Sequence, residues 1–420
     1  MAESGASGAQ DTVSERVDRD GIVAGIVARH GAGVPELARR LADAGHSADR
    51  PPDWNALARV RPLRKTDLAA LQHAAPPLGG LVNGDRTMPA LFWSPGDIVE
   101  PVDPAAVRRL AEQLTAAGFV ATDRVLNGFS YHFTPAGLLF HDALRRLGAT
   151  VLPIGPLQPA VAADFAVRAG ATAFVGIASH LRLLLDGARA AHVTADGRRL
   201  ALRLALAGAE PFGDPIRREI ESRWGVRCRD LYGTAESGVV AVECDRQEGL
   251  HLHAGVLAET LDPESGERLP EDEVGELALT VDGDDFPLLR FVTGDLVRVS
   301  HATCACGNPA QRLFPLGRVG GSARVRGMLL HAAQLRAFCA LAGPIDGASL
   351  AVRRAGGEDR LVLMYRLPAG ATGPGDDALR TAFRDACRLR VDELSADPSL
   401  QAGRFELIDE RFGPRPAAAP

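Results

Sequence analysis

The 420-residue chain predicts an α/β fold: a large N-terminal domain of mostly parallel sheet with a β-rich subdomain, followed by a small α+β C-terminal domain. Three observations carry that prediction. From Arg124 onward, short apolar runs alternate with stretches of helical spacing, the β-α-β rhythm of a parallel sheet covered by helices. After Glu259 the pattern changes to strand alternation punctuated by turns. The length of 420 residues also exceeds the roughly 250–300 over which one hydrophobic core grows, so a second domain is expected.

In chain order, residues 1–20 are polar and acidic and are expected to form a disordered tail. Val125 to Phe129, Thr150 to Ile154, Ala173 to Ile177 and Leu202 to Ala207 are apolar runs of strand length. Between them, Ala136 to Leu147, Val161 to Ala169, Ser179 to Ala191 and Pro215 to Trp224 have helical spacing, with Gly148 and Gly170 marking helix ends. The short strand Arg227 to Leu231 leads into Tyr232-Gly233-Thr234, at a strand's carboxyl end, where such sheets bind ligands. Leu261 to Glu267 reads as a turn and Gly275 to Thr280 as a strand. Gly317 to Gly327, rich in Gly and Arg with little regular pattern, is expected as a hinge, dividing a large domain at 21–317 from a small one at 318–420. In the small domain, Ser349 to Arg353 and Leu361 to Tyr365 flank Gly356-Gly357 as a hairpin. Asp377 to Leu389 then reads as a helix, Arg404 to Ile408 as a strand, and Pro414 to Pro420 as a low-complexity tail.

Composition narrows the setting. Hydrophobic residues at 46% and charged residues at 24% fit an ordinary globular protein, and a formal charge of −6 gives no electrostatic reason to expect nucleic acid. The apolar runs are too short to span a bilayer, the first residues do not form a basic, apolar leader, and a cytoplasmic location is expected. The six cysteines are too few and scattered for a secreted disulfide framework, which points to reduced thiols and one metal site. Lys65 is the single lysine among 47 basic residues, so an arginine stands wherever this chain needs a cation elsewhere.

The residues with most chemical content are Arg229 to Gly238, with Tyr232-Gly233-Thr234-Ala235-Glu236 at their centre, and Phe291-Val292-Thr293-Gly294-Asp295-Leu296. An acid just past a tight turn can hold a metal ion, and a Gly-Asp at a strand end can set a carboxylate against ribose hydroxyls. Each dipeptide alone is an ordinary turn former. Together they point to nucleotide-dependent acyl activation. With Leu206 to Phe212, Ile216 to Glu221, Val242-Glu243-Cys244, Gly249-Leu250-His251, Pro287 to Asp295, Cys304 to Gly307 and Gly317 to Gly327, the order resembles phenylacetate:CoA ligases of the AMP-forming adenylating superfamily, over roughly Arg61 to Phe412.

That resemblance implies a mobile C-terminal lid and an enzyme that adenylates an aromatic or other small carboxylic acid with ATP and Mg2+, then transfers the acyl group to coenzyme A. By the same analogy Glu236 would hold Mg2+, Asp295 would bind the ribose and Arg318 would contact nucleotide near the hinge. Gly208, Ala209 and Glu210 would line the adenine and substrate side, and Tyr232, Gly233 and Thr234 would form the turn flanking the base. Tyr131, His132 and Phe133 would contribute to an acyl pocket, with core packing as the alternative for this trio.

Four stretches depart from the family pattern. The place of a phosphate-binding Gly/Ser/Thr loop reads Leu81-Val82-Asn83-Gly84-Asp85-Arg86-Thr87, which sets a carboxylate where phosphates would lie. The place of a catalytic Gly-Lys reads Gly403-Arg404, and Arg has a wider, planar head than Lys. Gly320-Gly321 replaces two hinge acids, and His331 to Gln334 replaces an Asn-x-x-Pro turn. Two readings follow: a ligase of specialised metabolism with a rebuilt phosphate site, or a member that no longer adenylates and binds an acyl or acyl-thioester ligand, or acts as a non-catalytic partner. Coenzyme A and a carrier-protein thiol are both open as acceptors, and a homodimer is open.

Cys244, His251, Cys304 and Cys306 make a candidate structural zinc set, since thiolate and imidazole suit Zn2+. Separate buried thiols are the alternative, because Cys-x-Cys is tighter than the usual spacing; some relatives resemble this chain in carrying such a site. Cys228, Cys339 and Cys387 are expected in the core.

Overall fold

The computed structural model describes residues 17–412 apart from 85–87, 95–96, 192–199, 211, 213, 264, 320–321 and 327. The expectations for Asp85, Arg86, Thr87, Gly320, Gly321, the first 16 residues and the Pro/Ala tail therefore lie outside the described residues. The fold is α/β. The β-α-β rhythm forms a parallel sheet half, in which the strand Arg124–Asn127 lies between Thr150–Pro153 and Ala173–Gly176, followed by Leu204–Ala207 and Arg227–Thr234. Apart from Arg227–Thr234, these strands are only four residues long, and Ala173–Gly176 and Leu204–Ala207 in the middle of the sheet are wholly buried, as helices on both faces require. Pro104–Ala116 and Ala136–Leu147 pack Leu110, Phe140 and Leu144 against one face. Ala178–Ala191 and Asp214–Trp224 pack Leu181, Leu184, Ile216 and Ile220 against the other. Gly148 and Gly170 cap their helices with φ of +91° and +61°, the left-handed C-cap that glycine adopts without strain.

The β-rich part is a continuation of this sheet. The first half of Arg227–Thr234 pairs in parallel with Leu204–Ala207, while its second half pairs antiparallel with Gly238–Glu243. From there the sheet runs on through Leu250–Leu252, Arg312–Arg318, Leu288–Ser300, Val274–Val281 and Val256–Leu261, making 12 strands with Leu63–Arg64 added beside Leu288–Ser300. Local composition shows the change of texture; which strand bridges the two halves is a matter of tertiary pairing.

Two further expectations change. The helix Arg19–His30 begins inside the stretch read as a disordered tail, capped by the Asp18 carboxylate, which accepts from Gly21 N–H at 2.9 Å. The Gly/Arg-rich stretch read as irregular holds the ends of strand Arg312–Arg318 and the strand Ser322–Val325. Pairing of Arg318 with Asp295 and of Ser322–Val325 with Met328–His331 supplies the regularity the sequence lacks.

The C-terminal part has its own four-stranded sheet and its own core, in which Phe338, Leu350, Leu363 and Phe383 are fully buried. Its central hairpin, Gly347–Ala355 with Glu358–Arg366, turns at Gly356-Gly357 with φ of +59° and +80°, as the glycine pair predicts.

Candidate functional site

The site is built where the sheet changes from parallel to antiparallel. Gly233 has no room for a side chain: a Cβ there would stand 2.5 Å from the Gly238 carbonyl oxygen. In the turn that follows, Ser237 N–H donates to the Thr234 hydroxyl at 3.1 Å. This tight turn drives Glu236 inward, where it is 5% exposed. Buried Arg109, on the helix Pro104–Ala116, braces the turn by donating to the carbonyls of Ser237 at 2.6 Å and Val239 at 3.3 Å. Burial lowers the Arg109 guanidinium to about 10, still far above neutrality.

Lys65 Nζ lies 2.9 Å from Glu236 Oε1. Burial pushes the Glu236 carboxyl up, but the Lys65 charge beside it outweighs this and holds the group below its ordinary 4.5. Its Oε2 accepts no hydrogen bond among the described residues. Lys65 starts the helix Lys65–Ala74 directly after Leu63–Arg64, whose pairing with Phe291 and Val292 fixes where the ammonium points. Sequence reasoning gave Lys65 no role; its being the only lysine was the available signal. A small cavity of about 20 Å³, room for about one water, adjoins Glu236, Arg109, Leu139 and Phe286.

A second constellation joins residues far apart in sequence. Tyr232 donates its hydroxyl to Asp295 Oδ2 at 2.5 Å, and Arg318 Nη1 stands 2.9 Å from Asp295 Oδ1. Burial, then the Asp295 charge, raise the Tyr232 phenol well above its ordinary range, so it remains a donor. Gly294, with φ of +79°, lets the long strand bulge so that Asp295 faces Arg318. Beside it, Gly208 to Glu210 follow the carboxyl end of Leu204–Ala207. A Cβ on Gly208 would meet Leu231 at 2.4 Å, Ala209 takes φ of +64°, and the buried Glu210 accepts from Ser179 N–H at 2.5 Å. Left-handed backbone at alanine is strained and marks a loop held by its surroundings.

Of the acyl trio, Tyr131 turns its hydroxyl toward Asn127 Nδ2 at 2.8 Å and His141 Nδ1 at 3.1 Å, and burial raises it to about 12. His132 is exposed, as is Phe133 at 73% with φ of +63°, so the structure does not bring these two into the interior with Tyr131. Arg404 lies in the C-terminal part of the chain, 61% exposed and paired with Glu406 at 3.1 Å. In the stretch aligned with a phosphate loop, Asn83 N–H donates to Asp285 O at 3.1 Å and Gly84 N–H to Gly33 O at 3.2 Å, which spends two amides on the protein's own backbone.

The four predicted metal-binding side chains converge. Cys244 follows the strand Gly238–Glu243, His251 sits in its antiparallel neighbour, and Gly307, with φ of +86°, closes the turn that carries Cys304 and Cys306. Their ligand atoms lie within 4.8 Å of one another. Cys244 Sγ to Cys304 Sγ is 3.9 Å and Cys306 Sγ to His251 Nε2 is 3.5 Å. A tetrahedron with metal–sulfur bonds of ~2.3 Å and metal–nitrogen bonds of ~2.0–2.1 Å has edges of about 3.8 and 3.5 Å, so the dimensions fit. Cys228, Cys339 and Cys387 are buried singly.

Comparison with known proteins agrees with this geometry. The AMP-binding enzyme family profile matches residues 105–283. The chain is 31% identical over 265 residues to a phenylacetate-coenzyme A ligase from Thermus thermophilus, covering 60% of this chain and 58% of that protein. A Pseudomonas putida phenylacetate-coenzyme A ligase is 30% identical over 232 residues, covering 54% and 52%. Over the matched residues the chain is similar to phenylacetate-CoA ligases and to AMP-binding enzymes. Its matches span just over half the length of these relatives. The fold of this chain also matches 2-hydroxyisobutyryl-CoA ligase bound to 2-HIB-AMP and CoA in the thioesterification state, with TM-score 0.73 and 20% identity over 94% of this chain and 90% of that one. Against postadenylation and open forms of the same ligase the TM-score is 0.66 to 0.67.

Proposed function

We propose that the protein joins ATP to a small carboxylic acid as an acyl-adenylate and then passes the acyl group to a thiol, with coenzyme A as the acceptor the relatives suggest. The observation that carries this reading is the meeting of Tyr232, Asp295 and Arg318, contributed by three strands, next to the turn that buries Glu236. Asp295, fixed by two donors, presents carboxylate lone pairs to ribose hydroxyls. Glu236 offers an unpartnered oxygen to Mg2+, which would draw charge from the ATP phosphates when bound. Lys65 supplies a cation that does not depend on the C-terminal domain, and we assign it the neutralisation of charge near the α-phosphate that Arg404 is badly placed to provide. The acid's carboxylate oxygen would attack the α-phosphorus with pyrophosphate leaving, and the thiol sulfur would then attack the acyl carbon with AMP leaving. In this reading the C-terminal domain, from about residue 318, is the mobile lid.

For the four-ligand cluster we propose structural Zn2+. Three thiols this close resist losing their protons together without a cation between them, and the edges fit a closed site of three sulfurs and one nitrogen. Metal analysis is expected to find one zinc per chain.

The decisive assay is carboxylate-dependent ATP–pyrophosphate exchange over a panel of aryl and short acyl acids, with calorimetry of ATP binding. Exchange with at least one acid is expected. Neither exchange nor ATP binding would leave the second reading, a non-adenylating acyl-ligand binder, which the exposed Arg404 and the self-paired Asn83-Gly84 backbone favour.

A further inference from the structure

The hairpin of the C-terminal domain sets its tip on the large domain at one definite place. Arg182, on the helix Ala178–Ala191, donates through Nη2 to Glu358 Oε1 at 2.6 Å and through Nη1 to the Gly356 carbonyl at 3.3 Å. One guanidinium thus grips both a carboxylate and a turn carbonyl across the domain boundary. Arg182 is 17% exposed and Glu358 is 62% exposed, so the cation belongs to the socket and the carboxylate to the arriving tip. The tip is glycine for a reason beyond its turn: a Cβ on Gly357 would stand 3.3 Å from Arg182 Nη1 and 4.0 Å from Ile216 Cβ.

The same contact reaches the site. Ser179, three residues before Arg182 on that helix, donates its N–H to Glu210. On the hairpin side, Arg354 and Arg411 clamp Asp359, at 2.9 Å and 2.8 Å, and all three lie within electrostatic reach of Glu210. With the tip seated here, Arg404, just before the strand Phe405–Asp409 that pairs with Gly347–Ala355, is left at the surface with Glu406 as partner.

We propose that Arg182 and Glu358 are positioning residues that latch the C-terminal domain in the orientation for acyl transfer to the thiol, holding Arg404 out of the adenylation site. The catalytic half of this proposal rests on the ligase reading above, while the latch itself does not. An exposed ion pair is a weak bond, roughly a factor of two to five in an equilibrium, which suits a contact that must be made and broken in each turnover.

The test uses Arg182→Glu, Glu358→Arg and the double charge swap in the full chain. Hydrogen exchange at residues 354–360 and along the helix Ala178–Ala191 reads the latch directly. Each single reversal is expected to lower protection there about two- to fivefold, and the swap to regain at least half of the loss, since it restores the ion pair but not the bond to Gly356. In parallel, single-turnover thioester formation from preformed acyl-adenylate should slow by a similar factor while ATP–pyrophosphate exchange does not slow. Unchanged protection in both single variants, or a swap that recovers nothing, overturns the latch. If the wild type shows no exchange at all, the ligase reading fails, and the hydrogen-exchange comparison still decides the latch.

Discussion

A carboxylate as buried as Glu236 keeps its charge because a single ammonium faces it. Its folded carboxyl is depressed below 4.5, so the pair contributes stability that is present above the unfolded value and is lost as pH falls through the folded one. Lys65→Met removes the compensation and is expected to cost about 2 kcal/mol in denaturant unfolding at pH 7, less than for a fully buried pair because Lys65 is partly exposed. The variant should also slow ATP–pyrophosphate exchange by roughly a hundredfold, the scale of losing one preorganised cationic donor; full exchange in Lys65→Met would remove the assigned role. Asp295→Ala should raise the Kd for ATP by about tenfold, while Arg404→Ala leaves it within about twofold, because Arg404 has its partners in its own domain. Equal effects in calorimetry would count against this assignment. Glu210 has the opposite sign. Burial raises its carboxyl, so the folded state favours the proton, and its stabilising contribution is full below the unfolded value and lost as pH rises through the folded one. Thermal scans of Glu210→Gln should therefore gain on the wild type as pH rises above 4.5.

At the level of elements, the strand Arg227–Thr234 does most to shape the site, because it exchanges a parallel partner for an antiparallel one in mid-course. The sequence showed its start and the turn that follows. It could not show that the strand extends to Thr234, since Tyr232-Gly233-Thr234 is turn-forming in isolation and becomes extended only when Gly238–Glu243 lies beside it. Gly233→Ala tests that closeness: a Cβ pressed against backbone should cost about 1–3 kcal/mol and perturb Glu236 with it. The Cys244, His251, Cys304 and Cys306 cluster joins the antiparallel strands that follow. Chelator treatment, or Cys304→Ser, should lower Tm by about 5–10 °C with release of zinc. A metal-free protein whose Tm ignores the substitution would reduce the cluster to neighbouring thiols. The grouping of these four side chains was legible because Cys and His are rare enough here for proximity along the chain to carry information; the Sγ to Sγ spacing was not.

For the molecule as a whole, the α/β fold and the likeness to phenylacetate-CoA ligases could be read from periodicity and from ordered motifs, because both are written in local pattern. Residues 21–317 and 318–420 were divided at a glycine-rich stretch, and the structure places a separate core beyond it. What periodicity cannot encode is which distant segments meet. Tyr232, Asp295 and Arg318 were each named from motifs, yet their hydrogen-bonded triangle depends on a bulge at Gly294 and on strand order. His132 and Phe133 looked like pocket residues by type and proved exposed, since a loop residue's facing is set by backbone twist and not by its hydrophobicity. Lys65 was visible as a singular residue but silent as a functional one, because its partner lies 171 positions away and is reached only through the pairing of Leu63–Arg64 with the long strand. The sequence by itself determined the fold class, the family likeness and the chemical types available at the site. The tertiary structure alone decided that Lys65 pairs with Glu236, that Arg404 stands outside and that Arg182 grips the hairpin tip. Charge pairing depends on distance in space, and only the packed sheet sets that distance.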